Sequence, residues 1–143
     1  LRPAAFELKN DINKILKDDG VTQIDIDGFA NLTNVSLDKL KEKFGKAGWA
    51  ARVAHNKRFQ SVLICQSPGE GNRKHYHPDS DECWFIVEGE WEWWIEGKGI
   101  QKVKAGDIVV VEAKTPHQIK CVGDKSGIRL AIVQPDVDHV YID

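Results

Sequence analysis

The sequence has no methionine, only three cysteines and two tyrosines in 143 residues, and no long apolar run. Cys65, Cys83 and Cys121 are too few and too scattered to staple a secreted scaffold, and none forms a CxxC pair. Buried free thiols in a reducing compartment are expected instead, and with them a cytoplasmic location. A membrane-spanning helix needs about 18–20 apolar residues, and short runs such as Ile108 to Val111 suit a buried strand instead. A charge surplus is also missing: 20 basic against 22 acidic side chains leave a formal −2. Nucleic-acid binding would call for a basic face, so no nucleic-acid partner is expected. The opening Leu-Arg-Pro carries no signal-peptide pattern.

What is present is a chain of ordinary globular composition, 41% hydrophobic and 29% charged. Leu8, Ile12, Ile15 and Leu16 follow helical spacing and predict a helix over 6–17, stopped by Asp18-Asp19-Gly20. A short alternating strand over 21–26 follows. Ser36 then reads as the N-cap of a second helix, with Leu37, Leu40 and Phe44 on one side and Gly45 at its end. From Trp49 the texture changes to short β-branched runs separated by Gly, Asn, Asp and Pro. Strands are predicted over 49–54, 58–66, 73–77, 82–88, 90–96, 100–103, 107–112, 117–122 and 128–134. Such spacing argues for a sandwich or barrel. Residues 1–48 are expected as a helical extension packed on a barrel formed by residues 49–143.

The segment from Gly69 to Glu82 concentrates the chemistry. Alternation along a strand puts His75 and His77 on one face. The Pro78-Asp79-Ser80-Asp81 turn is expected to return the chain antiparallel, so that Glu82 opens the next strand beside the two imidazoles. Two imidazoles and one carboxylate form a donor triad that suits Fe(II), and also Mn, Ni, Co or Zn. By the same parity Trp84 shares a face with Glu82, while Trp91 and Trp93 turn away from Trp94, Glu90 and Glu92.

The spacing Gly69-x5-His75-x-His77-x4-Glu82-x6-Gly89 resembles the first motif of the cupins. Residues Gly106-Asp107 through Pro116-His117 resemble the second, without the usual Gly between Pro and His or the Asn after it. The resemblance implies an all-β double-stranded β-helix, the cupin jelly-roll barrel, here with two short N-terminal helices. It implies one divalent metal ion on His75, His77, Glu82 and His117, Fe2+ first and Mn2+, Zn2+, Ni2+ or Co2+ as alternatives. Four protein ligands leave an octahedral ion two positions for water, O2 or substrate. Asp81 to Phe85, with Glu88-Gly89, is also similar to 3-hydroxyanthranilate dioxygenase-like cupins, whose ligand spacing differs.

Around that site, Trp84, Ile119 and Cys121 are expected to line the pocket. Cys121 would be a small buried hydrophobe or, alternatively, a thiolate ligand. Arg73 shares the parity of His75 and would either anchor a substrate carboxylate or phosphate or sit in a surface ion pair. His55 and His139 lie outside the motifs and are read as surface residues. A small-molecule substrate and a homodimer, formed through the Trp-rich hairpin and the N-terminal helices, are the expected partners. Three functions stay open: a non-haem Fe(II) dioxygenase on a small anionic or aromatic compound, a redox-neutral isomerase or lyase, and a non-catalytic ligand binder.

Overall fold

The alternation of apolar and polar side chains resolves, in a computed structural model describing residues 3–142, into two facing six-stranded sheets. Strands are numbered in chain order. One sheet orders β1 (Pro3–Lys9), β12 (His139–Ile142), β5 (His75–Tyr76), β10 (His117–Val122), β7 (Glu90–Ile95) and β8 (Gly99–Lys104). The other orders β2 (Gln23–Asp25), β3 (Trp49–His55), β4 (Gln60–Gln66), β11 (Gly127–Val133), β6 (Glu82–Glu88) and β9 (Ile108–Val111). Consecutive strands repeatedly cross from sheet to sheet, as a double-stranded β-helix requires. Among the described residues only β2 and β3 pair in parallel.

Inward parity holds where the strands run unbroken. Trp84, Trp91 and Trp93 are at most 1% exposed and pack with Ile86, Ile119 and Cys121 between the sheets. With roughly 200 Å² per indole and about 25 cal/mol per Å², each contributes on the order of 5 kcal/mol of transfer free energy. The barrel therefore has a core of its own, independent of any bound ion. Trp94 does face outward, as parity requires, but the Lys74 ammonium sits 4.4 Å over its ring. Ile100, opposite Trp94 on β8, is exposed, and other large exposed side chains include Phe85, Ile108 and Val110 on the outer face of β6 and β9, and Ile132 on β11.

Helix α2 (Leu37–Phe44) starts at Ser36, whose hydroxyl accepts from the Lys39 amide, and ends at Gly45 with φ 71°. It buries Leu40 against Trp49, Ala51 and Ile128. Helix α1 (Ile12–Asp18) is shorter than its pattern suggested; Asp11 caps it, and Leu16 packs on Val21, Ala50 and Val62. The expected helix over 6–17 is corrected in its first half, because residues 3–9 form β1 against β12. Leu8, counted into the helical stripe, is 58% exposed. The first 48 residues thus do more than pack on the barrel: β1 joins one sheet and β2 the other.

Candidate metal centre

His75 on β5 is directly opposite His117 on β10, and on its other side opposite Tyr141 on β12. Opposed residues in antiparallel strands project to the same face, so register alone brings two histidines together that lie far apart in sequence. The ring centroids of His75 and His117 are 4.5 Å apart, and His77 lies 4.9 Å from His75 and 5.4 Å from His117. The turn after His77 does not close a hairpin, which corrects the expected antiparallel return. It carries the chain across the barrel, so that Glu82 begins β6 in the opposite sheet. Asp81 fixes the crossing by accepting the Ala113 amide at 2.8 Å. Glu82 Oε1 then meets His77 Nε2 at 2.6 Å. The neighbouring acids are engaged elsewhere: Glu70 accepts the Ser67 amide, and Glu88 pairs with Lys41.

The imidazoles are oriented by backbone carbonyls. Nδ1 of His75 faces Arg73 O at 2.7 Å, that of His77 faces Asp138 O at 2.9 Å, and that of His117 faces Thr115 O at 3.0 Å. A carbonyl only accepts, so each Nδ1 carries the proton and each Nε2 offers its lone pair or, in an imidazolium, a second N–H. His117 Nε2 is buried with no partner. Such an orphan costs about 1–3 kcal/mol, and a cation satisfies it. Ligand atoms of His77, Glu82 and His117 lie within 4.8 Å of one another, as do those of His75, His77 and His139. The donor chemistry and spacing fit a divalent ion, with the outer carbonyls setting tautomers as they do around protein-bound metals.

Electrostatics divide the histidines. Burial holds His75 well below its ordinary value and brings His117 down to about 4, so both stay neutral. Burial also opposes charge on His77 and Glu82, but each stabilises the other's ionised form; the net result is a raised imidazole and a lowered carboxyl.

Several expectations need correction. His139 is not a detached surface residue: its half-buried ring lies 4.5 Å from that of His77 and 4.8 Å from that of His75. Its Nδ1 faces Val137 O at 3.2 Å, repeating the pattern of the other three. The sequence signal was the alternation in His139-Val140-Tyr141-Ile142, a final strand that went unread. His55 does stand apart, 3.8 Å from Asp136. Of the two places offered to Arg73, the structure shows the surface ion pair and not the substrate anchor: it is exposed, pairs with Glu7 and lies over the Tyr141 ring at 4.7 Å. β5 begins only at His75, and a bend at Lys74 breaks the parity that linked Arg73 to it.

A cavity of about 70 Å³ opens beside the cluster. His75, Glu82 and His139 line one part of it, Trp84 and Ile119 its wall, and Arg129 and Asp19 another part. Trp84 and Ile119 thus sit where parity put them. Cys121 does not line this cavity; it is fully buried in the core opposite Trp91, and burial raises its thiol pKa. Arg129 was missed, although alternation in the Ile128–Val133 run places it inward with Ala131 and Val133.

The cupin domain family Cupin_2 matches residues 62–133, half of the chain. No match to a curated protein is found. Among solved structures, an uncharacterized Klebsiella pneumoniae protein with a double-stranded β-helix domain superposes at a TM-score of 0.65. It is 20% identical, over 79% of this chain and 100% of that one. KdgF from a Halomonas species gives 0.54 at 22% identity, over 59% of this chain and 76% of its own. A predicted oxalate decarboxylase from Thermotoga maritima gives 0.52 at 27% identity, over 57% and 70%.

Proposed function

We propose that this chain, which belongs to the Cupin_2 family of cupin domains, is a metal-dependent enzyme that takes a small anionic substrate into its barrel. In this reading His75, His77, Glu82 and His117 hold one divalent ion. The observation that carries it is the set of imidazoles whose Nδ1 protons are committed to backbone carbonyls, with the buried Nε2 of His117 left without a partner.

Fe(II) is placed first because His77, Glu82 and His117 supply two imidazoles and one carboxylate within 4.8 Å, the donor set of non-haem iron oxygenases. The reaction placed first is accordingly dioxygenation of a small anionic or aromatic compound. Bound there, the ion supplies Lewis acidity and a place for oxygen. The chain's own residues do the rest. Carbonyls of Arg73, Asp138 and Thr115 hold the imidazoles in the metal-ready tautomer. Trp84 and Ile119, each 1% exposed, keep the cavity wall dry. His77 Nε2 holds a proton against Glu82 that must leave before the nitrogen can coordinate. His139 stands on the cavity side of the cluster, so a substrate approaches past it.

A second reading, redox-neutral lyase or isomerase chemistry on Mn, Zn, Ni or Co, is favoured by the 27% identity to a predicted oxalate decarboxylase. The test is elemental analysis of protein purified without added ions, followed by turnover of a panel of small carboxylates and hydroxylated aromatic acids. Fe(II)-dependent oxygen uptake supports the first reading. Anaerobic turnover with Mn(II) supports the second, and binding without product leaves a ligand carrier. Absence of any stoichiometric metal would sink the whole assignment.

A homodimer belongs to the same proposal, and two faces offer apolar surface for it: Trp94 with Ile100 on the Trp-rich hairpin, and the outer face of β6 and β9, which is the larger. Trp91 and Trp93 are fully buried, whereas Phe85, Ile108 and Val110 form an exposed apolar face, of the kind that marks association. Val110→Lys is expected to convert a dimer to a monomer in sedimentation equilibrium; a dimer that persists in the variant excludes this face.

A further inference from the structure

Arg129 is the most deeply buried arginine or lysine among the described residues, 3% exposed. It lies on β11 opposite Ile86 of β6 and Ile64 of β4. Further along the same strand Ala131 faces Trp84 and Val133 faces Glu82, so the strand runs from Arg129 to the histidine cluster. The guanidinium is poorly satisfied for its depth. Nη2 donates to Gln66 Oε1 at 3.1 Å, and the group lies over the Trp91 ring at 5.4 Å. Its Nε is buried without a partner, and so is the Oε1 of Gln60 on the same cavity. Among the described residues no carboxylate forms an ion pair with Arg129; Asp19 lines the cavity without reaching it.

Asp19 and Glu82 act on Arg129 only at longer range; a buried cation with no carboxylate in contact is costly, and an anion that enters the cavity relieves it. A divalent ion, Arg129 and Glu82 together leave two uncompensated positive charges. Burial pushes the Asp19 carboxyl up to about 7, so Asp19 offsets them only in part near neutral pH. One water takes about 10–15 Å³ by this measure of volume, so 70 Å³ admits roughly half a dozen heavy atoms.

We propose that Arg129 is the carboxylate anchor of the site, and that the ligand is a compact dicarboxylate with one carboxylate on the guanidinium and the other at the metal end. The proposal rests on the metal-dependent reading for its second end only; the arginine end stands on the cavity and the unpartnered Nε of the guanidinium. It narrows the substrate class from anionic or aromatic to small diacids, because the two ends of the cavity then each meet one carboxylate. Arg129 takes the role that parity had offered to Arg73.

The test is titration of malonate into the Mn(II)-loaded protein and into metal-free protein, followed by calorimetry, with acetate and inorganic phosphate as comparison ligands. Arg129→Gln is expected to weaken malonate binding about 100-fold, to leave bound Mn(II) unchanged and to alter acetate binding little. Malonate bound equally well by the variant overturns the anchor while leaving the metal reading intact. Wild-type protein that takes up no Mn(II) yet binds malonate in an Arg129-dependent way overturns the metal reading and keeps the anchor. Phosphate binding as tight as malonate overturns the dicarboxylate assignment. Should Arg129→Gln not fold, Asp19→Asn decides: removal of a negative charge from the cavity should tighten malonate several-fold, and weaker binding would refute the proposal.

Discussion

His77 Nε2 and Glu82 Oε1 stand 2.6 Å apart, joining the two sheets where Glu82 lines the cavity. The pair is preassembled: the carboxylate keeps the imidazole protonated, and the imidazolium keeps the carboxylate ionised. A metal ion must replace that proton. Metal binding should therefore release a proton from His77, whose value the Glu82 carboxylate raises, while burial keeps His75 and His117 neutral. Calorimetry in buffers of different ionisation enthalpy measures the number. A value of zero would contradict a metal on His77. Affinity should fall as the pH drops through the raised value of His77, and again as His117 takes up its proton near 4; a flat metal titration from pH 8 to 5 would contradict His77 as a ligand.

His75→Ala and His117→Ala are each expected to lose most bound metal while far-ultraviolet circular dichroism stays unchanged. The core around Trp84, Trp91 and Trp93 does not include the ion. His75 and His139 belong to the same donor group; because His139 stands outside the proposed ligand set, His139→Ala should weaken metal binding less than His75→Ala. Stoichiometric metal in either of the first two variants excludes those ligands.

Metal-free protein should be acid-labile. His117 falls to about 4 in the fold against an ordinary 6.5, so between those values the unfolded chain takes up a proton that the fold refuses. Stability therefore declines as pH falls from about 6.5 to 4, by roughly 3 kcal/mol for His117 alone, with His75 and His139 shifted in the same direction. His77 opposes this, because a raised imidazole contributes most at low pH and loses its contribution as pH rises through its folded value. One imidazole against three leaves a net loss. A urea midpoint that does not move between pH 7 and 4.5 would disprove it.

Two neighbouring glycines should respond differently to alanine. At Gly71 a Cβ would sit 1.8 Å from Ile119 O, inside the barrel wall, and the backbone must move. At Gly69, the glycine of the recognisable motif, a Cβ meets nothing within 4 Å, and the cost is confined to its φ of +93°. Gly69→Ala should cost about 1 kcal/mol, and Gly71→Ala clearly more. Equal urea midpoints for the two variants would refute the close approach.

The sequence by itself determined whatever depends on neighbours along the chain. Period-two runs placed nine strands near their observed ranges, Ser36 and Gly45 bounded α2, and parity put Trp84, Trp91 and Trp93 inward. The spacing of His75, His77 and Glu82 marked one half of the cluster. Only the tertiary structure decided the rest, because strand pairing joins segments whose partners are remote in sequence. Residues 3–9 are a strand because β12 lies beside them, although their local pattern continues into a helix. Arg73 lost its place because parity transmits only along an unbroken strand, and the chain bends at Lys74. His139 entered the cluster because β12 pairs with β5, with Tyr141 opposite His75. The contact between His77 and Glu82 was anticipated from their spacing. That it bridges two sheets, instead of closing a hairpin, follows from a β-helical crossover that only the folded chain contains.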